Sequence, residues 1–139
     1  MTAFGTVSST TDMTTGIIPS LLATTTGIDL KTVATTNLYT VPGGKTLICT
    51  EIVLRITSSS GFALPCTLSI GKTAAFNEWL VATAMTNLGV AGDFRLLSNS
   101  AAGLVYKTFA ATETIALVVT IGATTTTLVA TADLFGYLV

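Results

Sequence analysis

Thr46-Leu47-Ile48-Cys49-Thr50-Glu51-Ile52-Val53-Leu54-Arg55-Ile56-Thr57 is the stretch on which the fold turns. Ile48, Ile52, Leu54 and Ile56 fall on one face of an extended chain. Leu47, Cys49, Glu51, Val53, Arg55 and Thr57 fall on the other. The first face is the more apolar, and the period is two, so the stretch predicts a long, half-buried strand. Glu51 and Arg55 share the outer face four residues apart, about 13 Å, too far for a direct pair.

Outward from this strand, the chain alternates apolar extended runs with turn residues. Upstream, Thr36–Val41 reads as a strand, and Pro42-Gly43-Gly44-Lys45 reads as the turn that follows it, since proline presets φ and glycine permits positive φ. Downstream, Ser58-Ser59-Ser60-Gly61 ends the long strand, and Cys66–Ile70 forms a short one with Cys66, Leu68 and Ile70 inward. Thr73–Leu80 reads as a short helix or irregular turn, and Val81–Leu88 as mixed, with a strand in its first half. Gly89 and Gly92 break the chain. Phe94–Leu97 and Leu104–Phe109 are strands, with a turn at Ala110–Thr112. Thr114–Ile121 is β-branched and reads as buried on both faces. A final long strand runs from Thr126 to Val139.

About eight strands with no amphipathic helix predict an all-β fold, an antiparallel β-sandwich, and the strand count selects a jelly roll. The expected core is Ile48, Ile52, Leu54, Ile56, Leu68, Ile115, Leu117, Val119 and Ile121.

Residues 1–26 differ. They are rich in Thr, Ser and Gly, carry one charge (Asp12), and scatter apolar residues without period. Two readings suit them: a frayed tail, or an extended N-terminal arm whose apolar residues anchor it on a neighbour. The arm reading is adopted, which divides the chain into an arm over 1–26 and a β-sandwich domain over 27–139. Its expected subunit or capsid contacts are Phe4, Val7, Ile17, Ile18, Leu21 and Leu22.

Composition narrows function. The 139 residues are 50% hydrophobic and only 9% charged, with net charge −1. Twenty-nine are threonine, a residue that favours strands and offers a hydroxyl to water. So sparse a charge protects poorly against association, and a homo-oligomer or larger assembly is expected, with the homotrimer as the adopted reading. Six basic against seven acidic residues provide no basic stripe for nucleic acid. The first residues lack the basic and apolar regions of a signal peptide. The uncharged run Thr114–Ala132 is long enough to span a bilayer, but it is β-branched and cut by Gly122-Ala123-Thr124-Thr125, so two strands explain it better. No membrane partner is expected.

Catalytic chemistry is not expected either. The chain has no histidine, the commonest acid–base group. Cys49 and Cys66 read as buried free thiols, with one Cys49–Cys66 disulfide as the alternative. Asp29, Asp93 and Asp133 lack calcium-loop spacing, and Asp133 reads as outward or hydrogen-bonded. Glu51, Glu78 and Glu113 lie far apart in sequence. Gly43-Gly44-Lys45-Thr46 lacks the upstream glycine and the helix of a phosphate loop. Trp79 with Tyr39 or Tyr106 could stack a sugar, but core packing is the stronger reading of Trp79. The reading is therefore no enzyme, no cofactor and no metal.

Three segments carry a resemblance. Leu38-Tyr39-Thr40-Val41-Pro42-Gly43-Gly44-Lys45-Thr46 resembles a V-P-x-G-K module that opens jelly-roll domains of tailed-bacteriophage virion proteins. Ser69-Ile70-Gly71 through Phe76-Asn77-Glu78-Trp79-Leu80 is similar to an S-I-G segment of such proteins, and Ala132-Asp133-Leu134-Phe135-Gly136-Tyr137-Leu138 to their closing strand. The resemblance covers roughly residues 36–139 and implies a non-enzymatic structural virion protein. It would be a capsid decoration (cement) protein, made in the host bacterial cytoplasm, located on the capsid surface, and bound to the major capsid protein across capsomer junctions. The alternative within the resemblance is a head-fibre or tail protein whose jelly roll binds a host receptor or glycan.

Overall fold

The computed structural model describes residues 19–100 and 107–139. Nine strands are described: β1 (Ser20–Asp29), β2 (Ala34–Thr40), β3 (Leu47–Ser60), β4 (Thr67–Lys72), β5 (Ala75–Ala84), β6 (Phe94–Leu97), β7 (Lys107–Phe109), β8 (Thr114–Ile121) and β9 (Thr127–Leu138). No helix occurs among the described residues. The strands form two antiparallel sheets. One has the order β1-β9-β3-β6, with β7 also on β3; the other has the order β2-β8-β4-β5. β6 pairs with Ile52–Arg55 and β7 with Leu47–Cys49, in the same direction along β3. Together they make one interrupted fourth strand. That order in two four-stranded layers is a jelly roll.

The core lies between the sheets. Ile52, Leu54, Ile56, Leu68, Ile115, Leu117 and Val119 are buried there, as the alternation predicts. Each such side chain contributes about 1.5–3 kcal/mol relative to exposure. Two expected core residues are not core. Ile48 is half-buried, while its neighbours Leu47 and Cys49 point inward. The cause is a bulge: Cys49 pairs with Gly136 and Glu51 with Phe135, so Thr50 is an extra residue and the inward parity changes across it. Ile121 is exposed because it ends β8, beyond the cover of the facing sheet. β8 is not buried on both faces throughout, since Thr120 and Ile121 are exposed.

Thr73–Leu80 does not form a helix. Its larger part is β5, joined to β4 by a tight connection at 73–74. The strand is strongly bulged, which explains the irregular sequence pattern. Lys72 pairs with Ala75 and Ile70 with Leu80, so five steps along β5 cover two along β4. The bulge rides over Gly71, where a Cβ would lie 2.1 Å from the Ala75 carbonyl oxygen. Glycine is what lets the two backbones approach.

The boundary at residue 26 also changes. Ser20–Thr26 belong to β1, which pairs with β9 from Ser20↔Gly136 to Asp29↔Val129. Register shifts between Leu21 and Ala23 and between Thr25 and Ile28 break the alternation. That is why no period shows in the sequence. Of the expected strand Leu104–Phe109, Lys107–Phe109 is observed as β7, and 104–106 lie outside the described residues.

Candidate contact surfaces

The sheet directions give the sandwich two ends. One carries the β1–β2, β3–β4, β5–β6 and β8–β9 loops. The other carries the β2–β3, β4–β5 and β7–β8 turns, the start of β1 at Ser20, and Val139. The two ends differ in chemistry.

At the second end four charged side chains meet. Lys72 Nζ donates to Glu113 Oε1 at 2.8 Å and lies 3.9 Å from Glu78 Oε1. Lys107 Nζ is 3.8 Å from the same Glu78 oxygen. Lys107 pairs with the buried Cys49 and Lys72 with the buried Ile115, so both lysines start from the inward faces of opposite sheets. The carboxylates neutralise them at the mouth of the sandwich. Glu113 also accepts the Ala110 N–H at 2.6 Å, closing the β7–β8 turn. The Lys72 hydrogen bond holds the Glu113 carboxyl below its ordinary range, and Glu113 and Glu78 raise Lys72. Two cations and two anions cancel, and no nucleophile stands among them. The cluster stitches β4, β5, β7 and the β7–β8 turn together.

The first end exposes large apolar side chains. Val33, Leu64, Val90 and Ile121 are each 60–65% exposed there. The topology brings all four to this end. Ala34 pairs with Val119, which sets Val33 beside the end of β8, and Ile121 pairs with Thr67 on β4. Leu64 exchanges backbone hydrogen bonds with Thr124, and Gly89, next to Val90, lies against the Phe62 ring. The carboxylates at this end are tied into their own loops. Asp29 accepts the Lys31 N–H at 2.8 Å, and Asp93 accepts the N–H groups of Gly89 and Val90 at 2.9 and 2.8 Å.

The expected contact residues divide. Phe4, Val7, Ile17 and Ile18 lie outside the described residues. Leu21 is exposed on the outer face of β1 beside Phe135 of β9. Leu22, in the register shift, packs against the core. The structure therefore does not bring Leu21 and Leu22 to one surface. On the same outer face, Arg55 bonds Asp133 at 2.9 Å through Nε, and Thr24 Oγ1 donates to the other Asp133 oxygen at 2.8 Å. Asp133 is thus the outward, hydrogen-bonded residue expected, and Arg55 finds its partner across the sheet rather than along the strand. Sequence reasoning missed this surface, because Val33, Leu64 and Val90 lie in three separate loops, Ile121 reads as part of a buried strand, and only the topology brings them to one end.

Trp79 is fully buried, so it offers no face to a sugar. Tyr39 is half-buried on β2, and Tyr106 lies outside the described residues. Cys49 and Cys66 are free and buried, and burial pushes their thiols up to about 12 and about 11. No group of three or more metal-ligand side chains occurs among the described residues.

No protein-family model matches the sequence, and no curated protein matches it. Solved structures do share the fold. A chain in the cyanophage Pam1 capsid asymmetric unit superposes with TM-score 0.53 at 14% identity, over 98% of this chain and 99% of that one. A chain in the acid-stable capsid of Helicobacter pylori bacteriophage KHP30 superposes with TM-score 0.52 at 11% identity, over 88% and 95%.

Proposed function

We propose that this chain is a structural protein of a bacteriophage virion: a decoration (cement) protein on the capsid surface that binds the major capsid protein across capsomer junctions, as a homotrimer. The observation that carries this reading is the end-to-end match with a chain of the Pam1 capsid asymmetric unit. The whole fold, not an embedded piece of it, corresponds to a capsid component. The surface supports the same reading. Charge is sparse, the carboxylates at the apolar end are satisfied internally, and large apolar side chains stand exposed. Such a surface suits burial against other proteins better than solvation. Repeated contacts over a symmetric shell add by multivalency, so each one can be weak.

The test mixes the purified full chain with genome-free heads of its phage prepared without it. The expected result is saturable co-sedimentation with the heads and a rise in their melting temperature. Binding to host cells with no binding to heads would overturn the reading in favour of receptor recognition.

A further inference from the structure

We infer that the apolar end of the sandwich, formed by Val33, Leu64, Val90 and Ile121, is the docking site for residues 1–18 of a second copy of this chain. This deepens the self-association in the proposed function and rests on that part of it.

Three observations converge. The first is the surface itself. Three loops and the end of β8 present large apolar side chains at one end, and the acidic groups near them, Asp29 and Asp93, turn back onto their own backbone. Lys31, in the same loop as Val33, donates from Nζ to the Thr126 carbonyl at 3.3 Å, and the apolar side chains left outward suit an apolar, nearly uncharged segment. The second is the composition of the segment outside the described residues. Phe4, Val7, Met13, Ile17 and Ile18 lie within 18 residues whose single charged side chain is Asp12. The third is where that segment leaves. β1 begins at Ser20, opposite Gly136, at the end remote from the apolar loops.

Point of departure and reach then allow a neighbour, and the sparse charge of the chain, which favours self-association, selects it over the same copy. Pro19 has no N–H to extend the ladder to β9. The ladder between β1 and β9 therefore starts at Ser20, and residues 1–18 leave the sandwich there. Phe4 to Ile18 is 15 residues, about 50 Å when extended. β3, the longest of the described strands, has 14 residues, about 45 Å. The arm is therefore long enough to reach the apolar end of an adjacent molecule set alongside. The contact is heterologous, arm to loop end, and such a contact closes into a ring when its rotation is a simple fraction of a turn. Three copies, each lending its arm to the next, make a closed trimer with every apolar end covered.

The experiment is sedimentation velocity on the full chain, on a chain lacking residues 1–18, and on Leu64→Ser/Ile121→Ser. Truncating at residue 18 rather than 26 keeps β1 intact. Both altered residues are exposed, and circular dichroism checks that the fold survives. The expected result is a trimer for the full chain and monomers for both variants at micromolar concentration. A labelled peptide of residues 1–18 should bind the truncated chain, with affinity lowered at least tenfold by the single change Leu64→Lys, which keeps a readout if the double variant fails to fold. A monomeric full chain, or a loop variant that stays trimeric and still binds the peptide, would overturn the inference. Head binding is read separately. A trimer that does not bind heads refutes the cement role alone, and a head-binding chain whose loop variant stays trimeric refutes the arm docking alone.

Discussion

Thr112 is the described non-glycine residue with positive φ, at 69°. A β-branched side chain there is unusual, because the left-handed region costs an L-residue about 1–2 kcal/mol. Two hydrogen bonds hold it: Thr112 N–H donates to the Val41 carbonyl at 2.9 Å, and Val41 N–H donates to Glu113 at 2.9 Å. The left-handed step aims that N–H at the end of β2. Asparagine tolerates this conformation better. Thr112→Asn should therefore add about 1 kcal/mol, or roughly 3–5 °C in melting temperature for a chain of this length. A thermal melt with no gain would mean that the threonine methyl or hydroxyl compensates the strain. Glycines at the same scale explain two short motifs. Gly71 lies under the β5 bulge, and a Cβ on Gly136 would lie 2.3 Å from the Ile48 carbonyl oxygen. The S-I-G and F-G-Y segments thus hold glycine where backbone crowds the position, a requirement of packing rather than chemistry.

Threonine placement organises the strands. Thr50 and Thr57 are the extra residues at the two β3–β9 register shifts, and Thr120 is the extra residue between β8 and β4. Each hydroxyl donates to a carbonyl of the partner strand: Thr50 to Phe135 at 3.2 Å, Thr57 to Val129 at 3.2 Å, and Thr120 to Thr67 at 3.1 Å. A bulge disrupts the ladder locally, and the side chain supplies a donor where the ladder is interrupted. Valine has nearly the same shape and no hydroxyl. Thr50→Val should lower stability by about 1 kcal/mol, since the half-buried site leaves the Phe135 carbonyl short of a donor. Thr57→Val should have a smaller effect, because Thr57 is exposed and water replaces the hydroxyl. Equal shifts in urea midpoint for the two variants would refute the role. The same bulges mark the limit of reading strands from alternation. Leu47, Ile48 and Cys49 are all apolar, so the change of inward parity across Thr50 is hidden in the sequence and Ile48 reads in phase with Ile52. In β1 two register shifts within ten residues erased any phase to follow. The contact surface was less legible still. Val33, Leu64 and Val90 lie in three separate loops and Ile121 at the end of β8, and nothing local marks them as one surface until the sheets bring them to the same end.

For the whole molecule, the charges that matter are few and their pH response has a definite sign. Arg55 and Thr24 hold the Asp133 carboxyl below its ordinary range, with Arg55 the larger influence. Lys72 does the same for Glu113, the Gly89 and Val90 N–H groups for Asp93, and Thr32 and Lys31 for Asp29. A carboxyl lowered on folding stabilises the native state above its unfolded pKa, and that contribution is lost as pH falls through the folded value. These four groups therefore favour folding above about pH 4 and lose that effect progressively below it. The opposite limb comes from groups raised on folding. Lys72 stabilises while it is protonated, and the buried thiols of Cys49 and Cys66 resist ionisation. Their contributions are full below their unfolded values, about 8.5 for a thiol and 10.4 for lysine, and are lost as pH rises through the folded values. Between these limbs the chain lacks histidine, the side chain that ordinarily titrates near neutrality. The melting temperature should accordingly be flat within about 2 °C from pH 5.5 to 8 and fall steadily below pH 4. A step near pH 6–7 would contradict this assignment, because it would require a titrating group that the described network does not contain.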